Sequence, residues 1–141
     1  MHAVDWLGFQ SLNTRNLIAD PVLRNQLLRT LHYESVRFNL DPDLILALIE
    51  HESRFMPKAI SSAGAVGLMQ VMPFWKNVIG QEGDSLFEIR TNIRYGCLIL
   101  KHYLDIEKGN VERALARYNG SLGSDLYPNQ VLSLLDKKYR F

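Results

Sequence analysis

The chain has 141 residues, a length typical of one domain rather than several. With 47% hydrophobic and 22% charged residues, its composition is that of a folded globular protein and excludes a disordered chain. Lys and Arg (16) nearly balance Asp and Glu (15), so the net charge of +1 gives no general attraction to nucleic acid or to an anionic membrane. A single cysteine, Cys97, excludes an intrachain disulfide.

The amino terminus does not have the basic and then apolar pattern of a secretory signal peptide. We therefore expect either a protein that is not exported by that route or one whose signal is absent from this sequence. The longest stretch without a charged residue is 17 residues, between Lys58 and Lys76, and it contains glycines and a proline. Because a spanning helix needs about 20 mainly apolar residues, no membrane span is predicted.

Helical periodicity covers most of the chain and predicts an all-α, single domain. Two Asp-Pro pairs mark helix starts, because aspartate caps the free amides and proline fits the first helical position. The first pair opens a helix from Pro21 to about Phe38. The second opens a helix from about Asp43, and Pro57 is predicted to end it.

Residues 59–72 lack helical periodicity and are rich in small residues, so they are predicted to form a loop. A short helix then runs from Pro73 to about Ile79. The longer helix that follows, from about Ile89, has Gly96 on its buried face, which predicts close approach of another backbone.

The carboxyl-terminal third of the chain has two further helix signals. Asn110 is predicted to cap a helix that ends at Gly120, since asparagine accepts from free amides and glycine adopts a left-handed end. Pro128 is predicted to open the last helix.

Glu52 is the most unusual residue of the helix that follows the second Asp-Pro pair. It shares a helix face with Ile45, Leu48 and Ile49. A carboxylate is seldom buried unless it is paired or functional, and burial raises its pKa toward that of a general acid. The pattern leaves two interpretations open: a catalytic acid, or a helix-terminal glutamate bonded to an arginine or to loop amides.

Glu50 lies about 200° around the same helix from Glu52, so the two cannot form a catalytic pair on one face. It precedes Arg54 by four residues, which predicts a solvated ion pair. We expect no zinc site here, because the motif H-E-x-x-H that begins at His51 requires a second histidine where Phe55 stands.

The loop after this helix contains residue types that suit a ligand site. Gly64 and Gly67 allow positive φ and close approach of a ligand, and the amide of Gln70 suits sugar hydroxyls. The aromatic rings of Phe74 and Trp75 suit stacking on sugar rings. Each feature has an ordinary alternative: a tight connection between helices for the glycines, and core packing for the aromatic side chains.

Four blocks of the sequence form an ordered set, namely residues 52–59 followed by Ser61, 64–73, 92–96 and 114–120. Together they resemble the signature of the soluble lytic transglycosylase family over roughly residues 40–123. The resemblance implies a helical, lysozyme-like catalytic domain related in fold to goose-type lysozyme. It also implies cleavage of the β-1,4 bond between N-acetylmuramic acid and N-acetylglucosamine in peptidoglycan, without water, to leave 1,6-anhydromuramyl ends.

Roles for individual residues follow from the same resemblance. Glu52 matches the single catalytic glutamate, first acid and then base, and Tyr118 matches the tyrosine near that carboxyl, although a core tyrosine is the alternative. The matches to substrate-groove positions are Ser61, Gln70 and Met72, with Asn119 in the same motif. The resemblance implies no metal or other cofactor, glycan strands of peptidoglycan as the partner, and a location in the periplasm or cell wall.

The sequence departs from the family pattern at two places. Many relatives continue the block after Asn119 with Ala-Gly, and many have a Glu-Thr pair in the last helix where residues 127–131 read YPNQV. A substrate contact of that glutamate therefore cannot be transferred to this chain.

We predict one domain made of an amino-terminal helical segment (1–39), a transglycosylase core (40–123) and a carboxyl-terminal helix (124–141). Two other functions stay open: a hydrolytic muramidase on the same fold, and a non-catalytic peptidoglycan-binding or assembly module. Wall turnover, opening of the wall for a secretion machine and phage entry are all compatible with a chain of this size.

Overall fold

The structure is a computed structural model that describes residues 3–141. Residues 1 and 2, which the predicted amino-terminal segment includes, lie outside the described residues. The helices are α1 (Ala3–Thr14), α2 (Pro21–Arg37), α3 (Pro42–Ser53), α4 (Lys76–Ile79), α5 (Ile89–Ile106), α6 (Val111–Asn119) and α7 (Leu126–Leu134). A 3-10 turn (Pro73–Trp75) leads into α4, and a π-helical turn (Leu135–Tyr139) extends α7.

The all-α, single-domain prediction is confirmed. Within residues 3–141 the β-type pairing is limited to two isolated bridges, Ile60 with Val66 and Val66 with Val71. Every helix in the same part of the chain is too short or too polar to cross a lipid bilayer.

The predicted helix caps are present. The side chains of Asp20 and Asp41 accept hydrogen bonds at 2.9 Å from amides two residues further on, at the starts of α2 and α3. The side chain of Asn110 accepts from the amide of Arg113 at 3.0 Å, and Gly120 ends α6 with φ of 74°. The last helix begins at Leu126, two residues before the predicted Pro128.

Helix α3 forms the axis of the fold. Its residues from Leu44 to Ile49 are at most 5% exposed, so it is apolar on every side, as expected for a helix inside a core. Helices α2 and α7 and the π-helical turn pack against it. The helix therefore holds its last turn, which contains Glu52, in a fixed position.

The predicted end of α3 is wrong. The helix stops at Ser53, and Arg54 and Phe55 follow with φ of 51° and 63°, both left-handed. Phe55 is only 3% exposed, so its burial in the core holds this strained pair in place. The helix therefore ends one residue after Glu52 and not at Pro57.

The amino-terminal segment is tied to the start of α3. Asp43 accepts hydrogen bonds from the indole N–H of Trp6 at 2.7 Å and from the amide group of Gln10 at 3.0 Å. Its other oxygen accepts from the backbone amide of Phe141 at 3.0 Å. Asp43 thus joins α1 and the carboxyl-terminal turn at the end of α3 that is opposite Glu52.

Gly96 is closely approached, but not by a backbone as predicted. A Cβ atom at this position would lie 2.3 Å from the sulfur of Met69. The missing side chain therefore makes room for Met69, and any larger residue would push the 59–72 loop away from α5.

Candidate active site

Glu52 lies in the last turn of α3, half-buried, with one carboxylate oxygen in contact with α7. Burial raises the pKa of Glu52 from its ordinary value of 4.5 to about 7, and a hydrogen bond from Tyr127 offsets part of this effect. None of the salt bridges formed within residues 3–141 involves Glu52. A carboxyl group in this state can hold or release a proton near neutral pH, as general acid and base catalysis requires.

Tyr127 is the residue that the sequence analysis missed. It lies in the first turn of α7, is 5% exposed, and donates its hydroxyl to Glu52 Oε2 at 3.1 Å. The ring of His51 meets the Tyr127 ring edge-on, with centroids 5.2 Å apart. The available signal was the spacing of Tyr127 and Val131, which puts both on the inward face of α7.

Tyr118 is placed near Glu52, although its hydrogen bond goes elsewhere. Burial, and to a lesser degree the charge of Glu52, raises the pKa of Tyr118 well above its ordinary value of 10. Its hydroxyl donates to the backbone carbonyl of Met69 at 2.6 Å. Tyr118 thus holds the 59–72 loop against α6, and its proton is already engaged.

Asn92, in α5, fixes the same loop from the other side. Its side chain accepts from the amide of Met69 at 2.8 Å and donates to the carbonyls of Val66 at 2.8 Å and Leu86 at 2.7 Å. Gly67 lies against it with φ of 78°, and a Cβ there would be 2.3 Å from the Asn92 nitrogen. Glycine is therefore required at position 67 for close packing against Asn92, as well as for the positive φ that the sequence predicted.

Two predicted substrate residues are engaged within the loop. Gln70 has φ of 54° and donates its amide N–H groups to the carbonyls of Gly67 at 2.9 Å and Ala59 at 3.3 Å. The hydroxyl of Ser61 accepts from the amide of Ala65 at 3.0 Å. In this state both side chains shape the loop, so any substrate contact would use their remaining hydrogen-bonding capacity.

Met72 and Asn119 differ in their surroundings. Met72 is half-buried and precedes the 3-10 turn. Asn119 is exposed and donates to the hydroxyl of Ser121 at 3.0 Å, at the end of α6. Asn119 and Ser121 line a cleft of about 270 Å³ together with His51 and Tyr127.

This cleft continues along α7. A second hollow of about 600 Å³ shares Leu126 and Gln130 with it and extends to Lys137. His51 and Tyr127, the neighbours of Glu52, therefore line an open groove and not a closed pocket.

The expectation for Glu50 is wrong. Its side chain is 13% exposed, and its carboxylate is paired with Lys138 at 2.8 Å, not with Arg54. The hydroxyl of Tyr139, which is also buried, donates to the same oxygen. The i to i+4 rule failed because α3 is covered at this point by the π-helical turn, which supplies nearer partners.

The sequence left two interpretations of Phe74 and Trp75 open, stacking on sugar rings and core packing, and the two residues differ in this respect. The two rings stack with centroids 5.0 Å apart. Trp75 is partly buried and meets Tyr103 edge-on at 6.4 Å, whereas Phe74 is 55% exposed. Core packing thus accounts for Trp75 only.

The transglycosylase SLT domain family matches residues 30–130, which is more than half of the chain. The chain therefore belongs to this family, and the lysozyme-like fold expected from the resemblance is confirmed.

Two individual proteins are similar to this chain. A transglycosylase of Enterobacteria phage PRD1 is 35% identical over 95 residues, which are 67% of this chain and 35% of the phage protein. The X-ray structure of an inactive Glu-to-Gln mutant of the lytic transglycosylase Slt from Pseudomonas aeruginosa matches with a TM-score of 0.66 and 26% identity, over 76% of this chain and 23% of that one. The chain thus spans about a third of the first relative and about a quarter of the second.

Proposed function

We propose that this chain is a peptidoglycan lytic transglycosylase that uses Glu52 as its single acid and base. The observation that carries the proposal is a half-buried carboxyl group with a pKa of about 7, hydrogen-bonded to Tyr127, which lines an open groove. The substrate is the glycan strand of peptidoglycan, cleaved at the β-1,4 bond between N-acetylmuramic acid and N-acetylglucosamine. The site of action is the periplasm or cell wall.

The proposed reaction has two proton transfers and consumes no water. Protonated Glu52 gives its proton to the glycosidic oxygen while the bond from that oxygen to C1 of the muramyl residue breaks. The Glu52 carboxylate then takes the proton of the muramyl 6-hydroxyl while that oxygen bonds to C1 and forms the 1,6-anhydro ring. The enzyme ends in its starting protonation state, and a pKa near 7 makes both transfers feasible at neutral pH.

The surroundings of Glu52 support an intramolecular attack over hydrolysis. Glycosidases that use water or a covalent intermediate generally have a second carboxylate near the first. Among the described residues, no second carboxylate contributes to the raised pKa of Glu52. Asp84, one loop acid that could have folded inward, is bonded to the Tyr95 hydroxyl and the Gln81 amide instead.

The relatives support the same chemistry. The names of both matched proteins contain transglycosylase, and a Glu-to-Gln change gives an inactive mutant in one of them. The open groove suits a long polymer, and Asn119 lines it. We assign Ser61, Gln70, Met72 and Asn119 to substrate binding, with Tyr118 beside the catalytic carboxyl. The division into segments 1–39, 40–123 and 124–141 is part of this proposal.

Mass spectrometry of the products from purified peptidoglycan tests the proposal, with Glu52→Gln beside the wild type. We expect 1,6-anhydromuramyl products from the wild type alone, because the amide keeps the shape of the carboxyl group but cannot transfer the proton. Products heavier by one water would instead identify a hydrolytic muramidase. Binding to cell-wall sacculi without any released sugar would identify a non-catalytic binding module.

A further inference from the structure

We propose that Tyr127 is the positioning residue of Glu52: its hydroxyl holds Oε2 and thereby leaves Oε1 as the oxygen that gives and takes the proton. This inference rests on the proposed function of Glu52 and adds to it a residue outside the four sequence blocks that resemble the family. It also assigns separate tasks to the two carboxylate oxygens.

The contact between α7 and α3 is well defined. The Tyr127 hydroxyl lies 3.1 Å from Glu52 Oε2, and the side chain is 5% exposed, so packing fixes the ring. Burial and the nearby charge of Glu52 raise the pKa of Tyr127 well above 10. The phenol therefore keeps its proton throughout the reaction and acts as a donor in both protonation states of Glu52.

The other groups around Glu52 do not compete for this role. Tyr118, from α6, has its hydroxyl proton engaged by the carbonyl of Met69 at 2.6 Å. His51, on α3 itself, presents its ring to Tyr127, and burial lowers the pKa of that histidine.

The geometry has a direct chemical consequence. A hydroxyl that donates to a carboxylic acid is satisfied by the carbonyl oxygen, because the other oxygen carries the proton. With Oε2 held by Tyr127, the acid form of Glu52 carries its proton on Oε1. The same bond persists when Oε1 has lost its proton, so the carboxyl group does not rotate between the two transfers.

Tyr127→Phe tests this role, because it removes the hydroxyl and keeps the ring. We expect kcat to fall about tenfold with KM changed less than about twofold, since loss of one hydrogen bond to a charged group affects orientation more than substrate binding. The alkaline limb of the pH profile should move to higher pH, because the bond that lowers the pKa of Glu52 is lost. ¹³C NMR titration of Glu52 without substrate, its resonance assigned with Glu52→Gln, should show the same rise.

Tyr139→Phe is the matched control, because Tyr139 donates to Glu50 on the same helix. This control should lower the Tm and leave the titration of Glu52 unchanged. Incorporation of 3-fluorotyrosine at position 127 supplies a test in the opposite direction. Its phenol is a stronger donor, so the pKa of Glu52 should fall.

Two results would overturn the inference. One is an unchanged Glu52 titration in Tyr127→Phe with a loss confined to Tm or KM, which would reduce Tyr127 to a packing residue. The other is an equal shift in Tyr139→Phe. If the wild type releases no anhydro product, the proposed function fails, but the NMR titration still decides whether Tyr127 controls the Glu52 carboxyl.

Discussion

Glu50 and Glu52 lie two residues apart on α3, and each accepts a hydrogen bond from a tyrosine of the carboxyl-terminal segment. Their surroundings differ in one respect. The ammonium group of Lys138 lies 2.8 Å from the Glu50 carboxylate and compensates its charge. Glu52 is partly buried, and its hydrogen-bond partner is the neutral hydroxyl of Tyr127. The same side chain on the same helix therefore becomes a structural ion-pair partner in one place and a candidate proton donor in the other.

The two glutamates differ in whether a cation lies beside the carboxylate. Both carboxylates are partly shielded from water, and each accepts a hydrogen bond from a phenolic hydroxyl. A buried carboxylate without a cation favours its protonated form, and one beside an ammonium group favours its charged form. The pKa of a partly buried carboxyl group can thus approach neutral pH because no cation lies beside it, without any additional functional group.

The largest expected difference between the two glutamates is in the rate of cleavage. Glu52→Gln should lose activity by roughly 10³-fold, the size of a general acid and base contribution, whereas Glu50→Gln should stay within about threefold of wild type. Release of anhydromuropeptides from peptidoglycan measures both rates. A large loss in Glu50→Gln, with the fold intact, would show that the wrong carboxylate has been assigned.

The next effect is on the pH dependence of stability. Folded Glu52 keeps its proton up to about pH 7, whereas the unfolded chain loses it near 4.5. The folded state binds more protons between these values, so stability falls as pH rises through this window, by roughly 3 kcal/mol at about 1.4 kcal/mol per pKa unit. Glu52→Gln avoids this loss.

Urea unfolding of wild type and Glu52→Gln at pH 4 and pH 8 measures the effect. The variant should be more stable than the wild type at pH 8, and the two proteins should differ little in stability at pH 4. An equal difference in the free energy of unfolding at both pH values would mean that ionisation of Glu52 does not destabilise the folded state.

The smallest effect concerns Glu50 itself. Glu50→Gln breaks the ion pair with Lys138 but still accepts from Tyr139, so we expect a loss of about 1–2 kcal/mol. Thermal unfolding should show a Tm lower by roughly 5 °C. An unchanged Tm would show that the pair is as weak as an exposed surface salt bridge, and that its burial has no energetic weight.

Local rules predicted the helices well, because caps and periodicity are properties of neighbouring residues. Asp20, Asp41 and Asn110 cap as predicted, and Glu52 stood out because it interrupts an apolar face. The end of α3 was missed, since the left-handed pair Arg54 and Phe55 is stabilised by burial of Phe55 in the core. That burial depends on residues far away in the chain.

The partners of the site residues were the least predictable part. Tyr127 is 75 residues from Glu52, and Lys138 is 88 residues from Glu50, so helix packing and not spacing decides these contacts. The backbone of Gln70 is left-handed and its side-chain amide donates to a loop carbonyl, a contact that the sequence pattern did not predict. Sequence patterns identified the residue types of the site, and tertiary packing decided which atoms meet.

Asn92 has a consequence for the thermodynamics of substrate binding. Its two hydrogen bonds to the backbone of Val66 and Met69, together with the bond from Tyr118 to Met69, tie the 59–72 loop to α5 and α6. Ordering a flexible loop costs roughly 1–2 kcal/mol per residue in conformational entropy, and here folding has already met that cost. Contacts with a glycan strand can therefore contribute their free energy to affinity instead of to the ordering of the protein.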